Sequence, residues 1–387
     1  CLVVLISLGV RQTFGLFFSD FKNDLDISLT ESGLAVGLQM LMWGLSGPIF
    51  GAIADKYGGH KAIMLAFVFY ILGIYFLYSG PNTGIFFQID MGLLVGIGLG
   101  GTAISIPMSI VGKHFPLSNR TIAMSLVTAV GSFGYFISPM YTSYSLINNG
   151  WIHTLYIFTI FLVIGLVIAF FVRSPSLSES IEKPSDQNTM SALKEAFKTK
   201  SYVLLTAGFF VCGFHITLVG THVPTYVIDR GLETWTAAAI LSLIGLFNIF
   251  GSLLSGYLST KMKKKVILAA IYALRGISIC LFIFLPASNI NAFIFGASFG
   301  FLWLSTVPAT SGIVAHMFGT KHLGMLYGIV FLSHQIGSFF GSFLGGLFHD
   351  IYGSYDYAWY LAIALSIFAA IIHVPIKEEP VLRLKTE

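Results

Sequence analysis

Charge is what this chain lacks. Only 10% of its 387 residues are Asp, Glu, Lys or Arg, where a soluble domain carries about a quarter, and that excludes an ordinary water-soluble globule. Cysteine is scarce too. Cys1, Cys212 and Cys280 lie in separate apolar runs, too few for a disulfide scaffold, and no Cys/His spacing has the form of a zinc site. Neither metal nor cofactor is expected. A GxxxxGK[ST] loop to cradle a nucleotide and an HExxH helix are both missing, so direct ATP drive and zinc hydrolysis have no seat here. The acids fall almost entirely outside the apolar runs, which argues against an intramembrane enzyme.

What is present is apolar. Hydrophobic residues make up 56% of the chain, with 36 Phe and 41 Gly and a mean hydropathy of +0.84. Phenylalanine suits lipid-facing surfaces and glycine lets membrane helices approach closely. Runs long enough to cross a bilayer cover 1–19, 31–54, 62–79, 84–113, 119–146, 151–172, 202–228, 234–260, 265–286, 290–318, 322–349 and 356–375. The expected fold is therefore an all-α membrane protein of twelve helices. Because the chain opens inside an apolar run, its first helix is expected to be truncated, with no signal peptide.

Lys and Arg orient the spans. With both termini cytoplasmic, seventeen basic residues fall inside, only Lys22 and Arg230 fall outside, and Arg11 and Arg275 lie within spans. This predicts a multi-pass protein of the cell's inner (plasma) membrane. The basic residues follow one membrane face, so nucleic acid is not an expected partner. The one long hydrophilic stretch, 173–200, reads as a cytoplasmic linker ending in an amphipathic surface helix. It separates a six-helix half at 1–172 from a second at 201–376, followed by a tail at 377–387.

The halves are in step. Phe115, Val127, Gly134 and Phe136 align without a gap on Phe318, Val330, Gly337 and Phe339, and Gly51 aligns on Gly256 with a slightly longer offset. Two halves in the same orientation imply a pseudo-two-fold axis along the membrane normal and a site between them near mid-membrane, a transporter architecture.

Between the second and third spans stands Gly51-Ala-Ile-Ala-Asp55-Lys56-Tyr57-Gly58-Gly59-His60-Lys61. It resembles the cytoplasmic signature of the major facilitator superfamily. The resemblance implies that Asp55 and Lys56, with Gly51, Gly58 and Lys61, hold the inward gate closed by charge-assisted bonds. A solvated turn with a glycine hinge is the plainer reading. The second-half counterpart keeps Gly256 and four lysines but has Thr260 in place of the aspartate. The runs Gly9–Phe17, Gly208–His215 and Phe331–Ser338 resemble a bacterial branch related to the monocarboxylate and oxalate–formate porters. That likeness implies organic-anion transport. The chain departs from it at 234–260, which lacks the aspartate–arginine pair of the better-known monocarboxylate porters.

An ionisable side chain at membrane depth asks for a reason. Arg11 sits near the middle of the first span, where its guanidinium can take a carboxylate through two parallel bonds; a structural pair to carbonyls is the alternative. Arg275, deep in the ninth span, is equally open to a bracing role through carbonyls or Asn248. His215 and His222 share one helical face, and His334 with Gln335 lies near mid-depth in the eleventh span. Each histidine can donate to an anion or gain a proton, or be a satisfied core residue. Asp90 can couple proton entry or be a helix-end acid facing water. Gln12, Gln39, Asn248 and Trp303 complete the candidate lining, with core packing the competing role for Trp303. Gly131–Gly134 followed by Pro139 is similar to the glycine-rich fifth helix of exchangers and equally fits plain close packing.

The leading expectation is a monomeric secondary transporter of a small organic anion, with protons as coupling ion or with exchange, and the lipid bilayer as its other partner. A proton-driven exporter of amphiphilic compounds or drugs is the alternative within transport. A non-transporting receptor is the alternative from another class.

Overall fold

The computed structural model describes residues 1–81, 83–114, 117–171, 189–319 and 322–381, and every regular element among them is helical. Residues 172–188 of the linker, Phe115 of the repeat, Lys321 and the tail beyond Val381 lie outside the described residues. Among the described residues eleven runs are long and apolar enough to cross a membrane. The fifth of them, Leu126–Phe171, is 46 residues long and lies within α8 (Leu117–Phe171), which is two helices joined at Gly150, φ 78° and ψ 171°. The turn expected at Asn148-Asn149-Gly150 thus shrinks to one residue, in a conformation that a side chain would strain.

The first span is α1 (Leu2–Gln12), a 3-10 turn at Phe14–Phe17 and α2 (Phe18–Leu25), reaching further than the expected 1–19. The second is α3 (Leu29–Tyr57), opened by a capping box in which Ser28 and Glu31 satisfy each other's backbone N–H. It is separated from α4 (Gly59–Ser79) only by Gly58 at φ 97°. The fourth span is not the single helix its sequence suggests. It consists of α5 (Gly84–Phe87), a π-helical segment Gln88–Leu94, α6 (Val95–Thr102) and α7 (Ser105–His114). The amphipathic α9 (Thr189–Lys198) precedes α10 (Lys200–Asp229), α11 (Thr234–Leu258) and α12 (Lys264–Phe284). A second broken span, α13 (Asn289–Leu302) and α14 (Thr306–Phe318), comes before α15 (Leu323–Tyr352) and α16 (Asp356–His373). Both breaks have the same cause. Pro107 and Pro308 lie just beyond them, and a proline ring collides with the carbonyl four residues back, here Ala103 and Leu304.

The repeat is clearer in contacts than in letters. Tyr70 Oη donates to Ser7 O at 3.1 Å, and half a chain later Tyr272 Oη donates to Gly208 O at 2.7 Å. The Ser7 and Thr102 hydroxyls meet at 2.6 Å; the Cys212 thiol and Thr306 hydroxyl meet at 3.2 Å. Gly134 of α8 lies against the Leu5 carbonyl of α1, and its sequence partner Gly337 of α15 lies against the Phe210 carbonyl of α10.

Two long seams join the elements before α9 to those after it, α3 on α15 and α8 on α11, and the 3-10 turn of the first span also rests on α10. The first tapers along its length. At one end, Thr30 donates both N–H and hydroxyl to Asp350 Oδ2, at 2.7 and 2.6 Å. A Cβ at Gly346 would strike the Leu29 carbonyl, and one at Gly33 the Ser342 carbonyl. Further along, Gly37 meets Phe339 and Gly44 meets Gln335. Beyond that level the same faces carry Gly51 on α3 and Gly328 and Gly324 on α15, and none of the three has a neighbour within 4 Å of its Cβ position. The bundle is zipped at the Thr30 end and open at the Asp55 end.

Candidate functional site

The point where the seam parts is where buried polar residues of the first span and of α15 both reach Met40 of α3. Arg11 ends α1 one residue before its last, and the chain then tightens into the 3-10 turn, which lets Gly15 rest against the Thr221 carbonyl of α10. Arg11 is 7% exposed. Its Nη1 donates to Gln12 Oε1 at 3.4 Å and its Nη2 to Met40 Sδ at 3.3 Å, while Nε has no partner. The hydroxyls of Tyr70 and Tyr135 are its nearest titratable neighbours. Among the described residues the ion pairs join His349 to Asp229 and Asp350, and no carboxylate faces Arg11. Gln12 is buried with Nε2 unpartnered.

From across the seam Gln335 Nε2 donates to the Met40 carbonyl at 3.0 Å. Its Oε1 lies 3.1 Å from His334 Nδ1, which places the proton of a neutral ring on Nδ1. His334 stacks on Phe331 with ring centroids 5.6 Å apart, and Phe331 in turn meets Trp43 of α3 edge-on. Arg11, Gln12, Met40, Gln335 and His334 therefore form one connected group spanning both sides of the seam. Such a group can receive an anion: a guanidinium edge and two amides donate, in a buried setting where charge-assisted bonds gain strength.

The other candidates are held elsewhere. Gln39 Nε2 donates to the Met91 carbonyl at 3.0 Å, on the π-helical side of α3. His215 and His222 do share a face, but that face packs on α16 and the segment before it. His215 Nε2 lies 2.8 Å from Ala362 O and 3.3 Å from Ser366 Oγ. His222 bridges Ser342 O at 2.6 Å and Tyr355 Oη at 3.3 Å, so it belongs to the zipped end. Asn248 is a strut: it donates to Ser132 Oγ of α8 at 3.0 Å and accepts from Leu304 N at 3.0 Å, in the break between α13 and α14. Trp303 is buried in that break, edge-on to Phe299.

Arg275 takes the bracing role. It is fully buried, donates to the carbonyls of Leu302 (2.8 Å from Nη2) and Trp303, and lies over the rings of Tyr272 and Phe299. A cation thus caps the C-terminal end of α13, where the helix dipole is negative. Asp90 is not a helix-end acid in water; it is 6% exposed within the π-helical segment. In the gate motif, Asp55, Lys56 and Lys61 are exposed, Lys56 over the Tyr57 ring at 5.0 Å.

Sequence reasoning passed over Tyr70, Tyr135 and Met40. Aromatics and methionine are so common here that only depth marks these three. It also passed over one G-x-S-x-G string, Gly296–Gly300. That string sits within α13, where Ser298 Oγ bonds to Ser278 Oγ at 2.8 Å and to the Phe295 carbonyl. It is helix interior and not a strand-to-helix elbow with an exposed nucleophile.

Comparison with known proteins bears on the family and the fold. The family model for the Major Facilitator Superfamily matches residues 1–307 and again 270–386. Monocarboxylate transporter 13 of Rattus norvegicus is 23% identical over 361 residues, which cover 92% of this chain and 82% of that one. The oxalate:formate antiporter of Oxalobacter formigenes is 23% identical over 350 residues, covering 89% and 82%. Among solved structures a D-xylose-proton symporter superposes with a TM-score of 0.75 at 13% identity, over 98% of both chains, a likeness of fold alone.

Proposed function

The chain belongs to the Major Facilitator Superfamily, and from that premise we propose that it is a secondary transporter of a small organic anion. The observation that carries the substrate class is Arg11, buried, with Nε unpartnered and no carboxylate of the protein facing it. Burying an unpaired guanidinium costs roughly 2.5–3.5 kcal/mol at membrane depth, and an anionic substrate is the partner that offsets it. Its relatives include proteins named for monocarboxylates and for oxalate and formate, which fits one or two carboxylates.

In this reading the chain folds as two six-helix halves, 1–172 and 201–376, joined by the linker and related by the repeated contacts. The excess of basic residues at the Asp55 end makes that end cytoplasmic, so the structure is inward-facing. A carboxylate enters from the Asp55 end, binds Arg11 and Gln12 on one half, and is contacted by Gln335 and His334 on the other. Rocking then zips the Gly51–Gly324 faces and opens the Thr30–Asp350 end. His334 is the residue best placed to carry a proton with the anion, which makes each cycle electroneutral. Gly51, Asp55, Lys56, Gly58 and Lys61 close the cytoplasmic side in the opposite state.

The test is flux into liposomes bearing the purified protein, screened over small mono- and dicarboxylates. One of them should be taken up by the native chain and not by Arg11→Gln. Unchanged uptake in Arg11→Gln would remove the central contact.

A further inference from the structure

Away from the seam, at the Asp55 end, a groove of about 1080 Å³ lies between α9, the start of α10 and the segment that follows α16. Four lysines line it, Lys194, Lys198, Lys200 and Lys377, against two glutamates, Glu195 and Glu379. Its walls are fixed to the fold. Lys377 N donates to Ser201 Oγ at 2.9 Å, Lys265 N to Glu378 Oε1 at 2.6 Å, and Val381 N to the Met317 carbonyl at 3.0 Å. The segment after α16 is thereby tied to α10, α12 and α14. On the other wall, Ala192 and Ala196 of α9 are buried against the protein, so the helix lies with one face committed.

Its opposite face is unusual for a solvated linker. Met190 is 56% and Phe197 52% exposed, and Lys194 and Lys198 are exposed between and beside them. Large apolar side chains interleaved with lysines on one face are the pattern of a helix lying in the membrane interface. Position fixes the level. The membrane-crossing α10 begins at Lys200, two residues after α9 ends, so the groove sits where a bilayer has its headgroups.

We propose that this groove binds the phosphate headgroup of an anionic phospholipid, with the acyl chains alongside Phe197 and Met190. The four lysines neutralise the phosphate, and the Ser191 and Ser201 hydroxyls that line the same groove can donate to it. The lining also takes in Lys200 and Ser201, the first residues of the 30-residue α10 and so the positive end of its dipole. The site is separate from the Arg11 group and does not depend on what the protein transports.

The experiment is hydrogen exchange of the α9 amides in the full chain, held in nanodiscs of phosphatidylcholine alone or with about 30% phosphatidylglycerol. The anionic lipid should slow exchange across 190–201 by about fivefold or more, as expected for several lysines at a charged surface. The slowing should vanish in the Lys194→Gln/Lys198→Gln/Lys200→Gln/Lys377→Gln variant and persist in the matching four-arginine variant. Inorganic phosphate and glycerol 3-phosphate, added to phosphatidylcholine discs at about ten millimolar, should do nothing, because they lack the chains that Phe197 and Met190 hold. Equal exchange in the two membranes overturns the proposal, and that comparison uses only the native chain. Equal slowing by free phosphate also overturns it, because the groove is then a soluble-anion site.

Discussion

Arg11 and Arg275 invite one decisive comparison, because a buried arginine kept for a ligand and one kept as a brace respond oppositely to the same substitution. Replacing either by Met preserves a long apolar stem and removes the charge. At membrane depth an arginine costs roughly 2.5–3.5 kcal/mol. Arg11 recovers only part of that, with one 3.4 Å bond to an amide, a 3.3 Å contact to sulfur and the Tyr135 hydroxyl beside it, together about 1–2 kcal/mol. Arg11→Met should therefore raise the stability of the ligand-free protein by about 1–2 kcal/mol, a rise in Tm of roughly 1–3 °C for a chain of 387 residues. Arg275 holds two carbonyls and two ring faces. Arg275→Met strands those carbonyls in a dry interior at about 1–3 kcal/mol each, and Tm should fall by roughly 3–7 °C. Thermal unfolding in detergent, followed by tryptophan fluorescence, reads both. The ligand arm completes the signature: a carboxylate that raises the native Tm should leave Arg11→Met unmoved, since two charge-assisted bonds are worth about 100-fold or more in affinity. If Arg11→Met loses stability as Arg275→Met does, Arg11 is a strut and the anion site is refuted.

The zipped end supplies the next expectations. Asp350→Asn weakens the charged cap on the N-terminus of α3, worth about 1–2 kcal/mol. Open-end populations should rise about 5–30-fold, seen as longer distances between spin labels at the exposed Asn23 and Glu233. Gly346→Val drives a side chain into the Leu29 carbonyl and should abolish the short-distance population, whereas Gly324→Val, with open space around it, should leave it intact. Tyr135→Phe removes one of the hydroxyls beside Arg11 and should raise KM for the carboxylate about 3–10-fold with kcat little changed, the mark of uniform binding; a loss confined to kcat would assign the tyrosine to the conformational step.

How far the sequence speaks depends on what each residue competes with. Gly58 was legible because a glycine between two apolar runs, next to charges, has few other uses, and it adopts φ 97°. The broken spans were not, although Pro107 and Pro308 were in plain view. A proline inside a membrane helix can kink it, end it or be absorbed, and which happens depends on neighbours that satisfy the freed carbonyls. Leu302 and Trp303 are served by Arg275, a partner 27 residues away that no local pattern reveals. The histidines show the same limit. His215, His222 and His334 all stand on helices with small and aromatic neighbours, and only tertiary contacts separate the two bound to backbone carbonyls from the one paired with Gln335. That Arg11 is buried with its Nε unpartnered and no carboxylate among the described residues facing it has no signature in the letters at all.

One regularity does join sequence, packing and motion. On α3 the face toward α15 runs Gly33, Gly37, Met40, Gly44, Gly47, Gly51, and on α15 the opposing face runs Gly346, Ser342, Phe339, Gln335, Gly328, Gly324. Small residues alternating at three and four along a helix let backbones touch, and the first half of each row does so. Past Gly44 and Gln335 the rows end in Gly51, Gly328 and Gly324, and these three have no neighbour within 4 Å of a Cβ position. Glycines exposed in mid-helix cost about 0.5–1 kcal/mol each relative to alanine, so a row that never closed would be a standing loss. It is accounted for if each row is used in alternation, one half zipped while the other is open, about a fulcrum at Met40 and Gln335. The polar group around Arg11 lies at that fulcrum, the one level where the proposed anion would touch both sides of the seam in either state. Displacement of the ligand contact by even one helical turn toward either end would tie it to a single state, and coupling between binding and rocking would be lost.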